Sequence, residues 1–159
     1  MLRKLVPAAA LITANLLLVP PAMAVYWYTR EAPLRVVQDG VTQGRAYGNF
    51  SNDNGVRARS YSFQQDARPG GDGVYVETNF MFYSRDTACG GDSSGVNTCW
   101  HSEGKHQTKN TTSGSWITGV TNENLVWDGE AARGDIKICE NHGWAPDPCS
   151  SHVLRSFSY

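Results

Sequence analysis

Helical periodicity is nearly absent from this chain; short alternating runs rich in Val, Tyr, Phe, Thr and Trp recur instead between clusters of Gly, Asn, Asp and Pro. That pattern restricts the fold to the all-β class. Leu34 to Val37 and Val41 to Phe50 flank Asp39-Gly40, and a second turn ends in Asn54-Gly55. Both dipeptides accept the positive φ that tight hairpin turns require, so two successive hairpins are predicted. Val56 to Phe63 alternates with Arg57, Arg59, Tyr61 and Phe63 on one side, and its sequence does not tell which side is the core. Val74 to Tyr83, after the Arg68-to-Gly73 turn, is the clearest strand; Val74, Val76, Thr78, Phe80 and Phe82 are expected inward. Ser115 to Thr121, Asn124 to Trp127, Asp135 to Glu140 and Val153 to Tyr159 complete seven to nine strands. The spacing predicts an antiparallel two-sheet sandwich, with an open β-barrel as the alternative.

Residues 1–24 read as an export signal: a basic head at Arg3-Lys4, an apolar stretch from Leu5 to Val19, and Ala22-Met23-Ala24 for cleavage before Val25. The apolar stretch is 15 residues long, short of the roughly 20 that span a bilayer, so release rather than anchoring is expected. Removal of 24 of the 159 residues leaves 135, enough for one domain: an extended segment at 25–33 and a β domain at 34–159. Arg3 and Lys4 leave with the signal, so 12 of the 14 basic side chains face 15 acidic ones. A balance of −3 argues against nucleic acid as a partner.

An extracellular destination makes disulfides the expected state of Cys89, Cys99, Cys139 and Cys149. They form two C-x9-C pairs, for which nearest-neighbour bridging is the simplest of three connectivities. The first pair encloses a Gly-rich stretch that a local bridge would constrain; the second encloses Glu140 to Pro148, expected as a presented loop. Zinc sites space their cysteines two to four apart, so the cysteine pattern does not indicate a metal.

No H-E-x-x-H helix or cofactor fingerprint occurs, and no cysteine is left over as a nucleophile. The expectation is therefore a non-enzymatic protein without a cofactor. His101, His106, His142 and His152 have no spacing that sets a base against a nucleophile. A carboxylate-dependent hydrolase would need two of Asp72, Glu77, Asp128, Glu130, Asp135 and Glu140 brought together by the fold. Arg133-Gly134-Asp135 matches an adhesion tripeptide but is expected to open a strand, and Ser51 to Gly55 reads as a turn rather than a calcium loop.

Aromatic residues are the remaining lead. Tyr26, Trp27 and Tyr28 follow the cleavage site, where an extended apolar segment pairs with a sheet edge, its own or a partner's. Trp100 beside Cys99, and Trp144 with His142 in the second cysteine loop, are candidates for stacking on a protein or a sugar; packing against a disulfide is the alternative.

Ala22-Met23-Ala24, the Pro69-to-Gly73 turn before Val74-Tyr75-Val76-Glu77-Thr78, Ile136-Lys137-Ile138-Cys139-Glu140, the second cysteine loop and Ser156-Phe157-Ser158-Tyr159 form a combination. It resembles small secreted actinobacterial β-proteins, and its outline is similar to the small adaptor subunits of umbrella-type toxin particles. The resemblance implies an extracellular interaction subunit that binds a protein partner. Carbohydrate binding and inhibition of an extracellular protease by the second cysteine loop are the alternatives.

Overall fold

The computed structural model describes residues 23–86, 89–90 and 97–159; the segment up to residue 22, where an export signal is expected, and most of the Gly-rich first cysteine loop lie outside the described residues. Nine strands occur among the described residues: β1 (Ala24–Trp27), β2 (Leu34–Gln38), β3 (Val41–Asp53), β4 (Arg57–Asp66), β5 (Val74–Asp86), β6 (Asn97–Gln107), β7 (Ile117–Asn124), β8 (Ala131–Glu140) and β9 (Val153–Ser158). They build two antiparallel sheets that do not close into a barrel. In one, β1 and β2 pair with opposite ends of β3, followed by β4 and β7; the other runs β6-β5-β8-β9. Disulfides join Cys89 to Cys99 and Cys139 to Cys149.

Both predicted hairpins are present. Asp39-Gly40 and Asn54-Gly55 each place two consecutive residues at positive φ, the conformation that matches the twist of the strands they join. The predicted inner face of β5 is buried along its length, from Val74 to Phe82. Phe50 lies at the centre between the sheets, its ring 5.9 Å from Phe80 and 5.3 Å from Phe157. Gly134 is what admits it: a Cβ there would stand 2.9 Å from the Phe50 ring.

The face of β4 that turns inward is its small and polar one, Ala58, Ser60, Ser62, Gln64 and Asp66. Its aromatic side faces outward, where Phe63 stacks on Tyr47 at 4.9 Å and Trp116 meets Tyr47 edge-on at 5.0 Å. The buried polar groups find partners. Thr78 Oγ1 donates to Ser60 Oγ at 2.9 Å, Thr108 Oγ1 to Gln64 Oε1 at 2.6 Å, and Gln64 Nε2 to the Lys109 carbonyl at 2.8 Å. Through them Gln64 and Thr108 hold the segment that leaves β6 and crosses to the other sheet, whose backbone would otherwise enter the interior unpaired.

Two strand expectations are corrected, and β6 is a strand the sequence reading did not include. Asn124 to Trp127 is not a strand; after Asn124 the chain runs into the turn before β8. β8 begins at Ala131 rather than Asp135, so the Arg133-Gly134-Asp135 tripeptide lies within the sheet instead of opening it. β6 had no apolar alternation to announce it, because as an edge strand it buries little on either side.

The N-terminal segment pairs with its own sheet, Trp27 opposite Gly48, and the Trp27 side chain is completely buried. On the other edge of β1, Arg155 Nε donates to the Tyr26 carbonyl at 2.8 Å. Trp27→Ala is therefore expected to lower stability by about 3–5 kcal/mol, whereas Tyr26→Ala, at an exposed position, should stay within about 0.5 kcal/mol. Equilibrium urea unfolding of the two variants checks this.

Candidate functional site

β5 begins where β8 ends, with Val74 opposite Glu140, so the Pro69-to-Gly73 turn and the second cysteine loop emerge side by side at one end of the sandwich. Asn141 N donates to the Gly73 carbonyl at 2.8 Å and stitches them together. The Cys139–Cys149 disulfide closes the loop, and Glu140 N to the Pro148 carbonyl and Ser150 N to the Ile138 carbonyl continue the pairing on both sides of it.

Asp147 fixes the loop from within. Its Oδ1 accepts from the His142 backbone N–H at 2.8 Å and its Oδ2 from the Tyr75 hydroxyl at 2.6 Å. The Tyr75 hydrogen bond, assisted by the His142 N–H, holds the Asp147 carboxyl below the usual carboxylate range against a smaller opposing effect of burial. Burial, then the same carboxylate, pushes the Tyr75 hydroxyl up, so it stays a donor. Above this brace the loop turns between His142 and Ala145, whose N–H donates to the His142 carbonyl at 2.9 Å. Trp144 sits at the tip of that turn, 93% exposed. The second cysteine loop thus presents a bare indole on a rigid base, and Trp144 does not pack against the disulfide.

Beside it opens a cleft of about 590 Å³, lined by Gln38, Gln43, Arg68, Asp72, Glu140 and His142 among others. The fold thus brings two of the six candidate carboxylates, Asp72 and Glu140, to one place. The His142 Nε2 atom lies 3.3 Å from Glu140 Oε2 and 3.8 Å from Asp72 Oδ2. Of the other carboxylates, Asp135 is taken by His152 at 2.7 Å and Glu77 by Lys137 at 3.1 Å. Burial opposes ionisation of Glu77, but hydrogen bonds from Gln107 and Lys137 and the nearby ammonium charges outweigh it and keep its pKa low.

The remaining candidates are not brought together with this loop. Trp100 pairs with Tyr83 at the far end of β5, nine strand residues and about 30 Å from Val74. One face of its ring is covered by the Arg133 guanidinium, 3.9 Å from the centroid, so this arginine is engaged within the sheet. Tyr26 and Tyr28 are exposed on the N-terminal segment, while Trp27 is core. The sequence reading places Trp127 at the end of a strand rather than among the candidate binding residues. It is 94% exposed in the turn before β8, at the end of the sandwich opposite Trp144, and its place beside Asp128-Gly129 was the available signal that it belongs to a turn.

Among the described residues no helix is long and apolar enough to cross a membrane. Searches against protein-family models, curated proteins and solved structures find no match to this chain.

The depressed Asp147 pKa makes the loop brace pH-dependent. Its contribution to stability is fully present above the unfolded carboxylate value of about 4 and is lost as pH falls through the lower folded value. Tyr75→Phe should remove that dependence while leaving the ring packed. Unfolding midpoints between pH 6 and pH 2 are expected to fall less in Tyr75→Phe than in the parent; equal slopes would contradict the brace.

Proposed function

We propose that the chain is a secreted, non-catalytic adaptor that binds a protein partner through the second cysteine loop, with Trp144 as its anchor. The observation that carries this is the 93% exposure of Trp144 on a loop held by a disulfide, a carboxylate brace and a β-bridge. A large ring is rarely left bare in water on a rigid support, and a preorganised tryptophan loses little entropy on docking. Tryptophan is also the residue most enriched at binding hot spots. An adaptor needs a second contact, and Trp127 supplies a bare indole at the opposite end. Disulfide bonding and the signal-like N-terminus support an extracellular setting. The internal pairing of β1 leaves Tyr26 and Tyr28 as flanking contacts rather than a donor strand.

Purification of the protein from its native culture fluid without denaturant, followed by size exclusion and mass spectrometry of co-eluting chains, tests the proposal. A particle larger than the mature chain is expected, and Trp144→Ala should weaken capture of one companion by about tenfold or more while the unfolding midpoint stays unchanged. A bare monomer would overturn the adaptor reading. Specific retention on a glycan array that depends on Trp144 would replace it with carbohydrate recognition.

A further inference from the structure

We propose that Asp72, Glu140 and His142 form a binding site for a divalent transition-metal ion of the zinc class at the wall of the cleft. The inference does not depend on what Trp144 docks against. One atom from each of the three side chains, two carboxylate oxygens and an imidazole nitrogen, converges within 4.8 Å of the others. Two donors about 2.0–2.2 Å from a tetrahedral zinc stand about 3.3–3.6 Å apart. The His142–Glu140 separation of 3.3 Å already has that value, and the His142–Asp72 separation of 3.8 Å is a few tenths of an ångström longer. Asp72 is half-exposed on a turn that contains Gly70, Gly71 and Gly73, so that edge can close at little cost.

A second observation points to a ligand independently of the clustering. Glu140 is 8% exposed, lines the cleft, and its Oε2 is buried without accepting a hydrogen bond. The facing imidazole nitrogen lies within reach but the pair is not aligned as a hydrogen bond. A buried carboxylate oxygen with no donor is costly, and a cation placed between it and the imidazole removes that cost.

The donor chemistry selects the class of ion. One imidazole with two carboxylates suits zinc and its neighbours, whereas calcium takes six to eight oxygens, more than these side chains supply. Three protein donors leave a position facing the cleft for water or for a group from a docked molecule. A bound ion would also clamp the Pro69-to-Gly73 turn to the second cysteine loop, reinforcing the Asn141-to-Gly73 hydrogen bond.

Calorimetric titration of the untagged, disulfide-intact protein with Zn²⁺, paired with thermal unfolding, is the test. One equivalent is expected to bind and to raise the unfolding midpoint, and Asp72→Asn, Glu140→Gln and His142→Ala should each weaken binding by about tenfold or more. Asp72→Asn, a change at a half-exposed side chain, keeps the test decisive should Glu140→Gln fail to fold. A second convergence, Asp86, His101 and Glu103 at the other end of β5 and β6, supplies the control. Binding abolished by His101→Ala but untouched by Asp72→Asn and His142→Ala would overturn the assignment. So would a zinc titration with neither heat nor a midpoint shift, which would leave Glu140 and His142 as an ion pair, or an equal affinity for Ca²⁺.

Discussion

The pairing of β5 with β8, unbroken from Val74 opposite Glu140 to Tyr83 opposite Ala131, is the constraint on which the rest of this structure depends. β5 is flanked on its other side by β6, so it is interior to its sheet, and its inward face carries Val74, Val76, Phe80 and Phe82. Its register against β8 is specified because a slip by one residue would turn Val76, Phe80, Ile136 and Ile138 toward solvent. The same register decides which loops share an end. It places the Pro69-to-Gly73 turn beside the second cysteine loop, and so creates the cleft that neither segment forms alone.

Against that apolar sheet the opposing strand β4 contributes hydroxyls and an amide. Ser60, Ser62 and Gln64 are close to fully buried, a composition that would weaken a core if the groups were unpaired. Here their partners include the backbone and side chains of residues 108–109, and Val76 N donates to Thr108 Oγ1 at 2.9 Å. The polar seam therefore serves the crossover between the sheets. It also explains why two aromatic residues of β4 lie outside, where Phe63 packs against both Tyr47 and Tyr61.

Legibility followed local chemistry. Asp39-Gly40 and Asn54-Gly55 announce hairpins because the conformations they adopt are nearly private to such residues, and the inward residues of β5 announce themselves by alternation. β6 did not, since an edge strand with the sequence Trp100-His101-Ser102-Glu103 is specified by its neighbour's unpaired backbone rather than by its own side chains. The inner face of β4 was unreadable for a related reason: Ser60 is acceptable inside only because Thr78 stands opposite it in the other sheet. Among the site residues, Trp144 could be singled out because two cysteines frame it, whereas its brace by Asp147 and Tyr75 joins residues far apart in the chain.

The sequence by itself determined the fold class, the two hairpins, the inner face of β5 and a disulfide-framed loop bearing Trp144, because each depends on residues within a few positions of one another. Tertiary structure alone decided that Trp27 is core while Trp144 and Trp127 are bare, and that Asp72 meets Glu140 and His142. The physical reason is that burial and charge proximity are properties of strand register and sheet packing. They arise only when β3, β5 and β8 have chosen their partners.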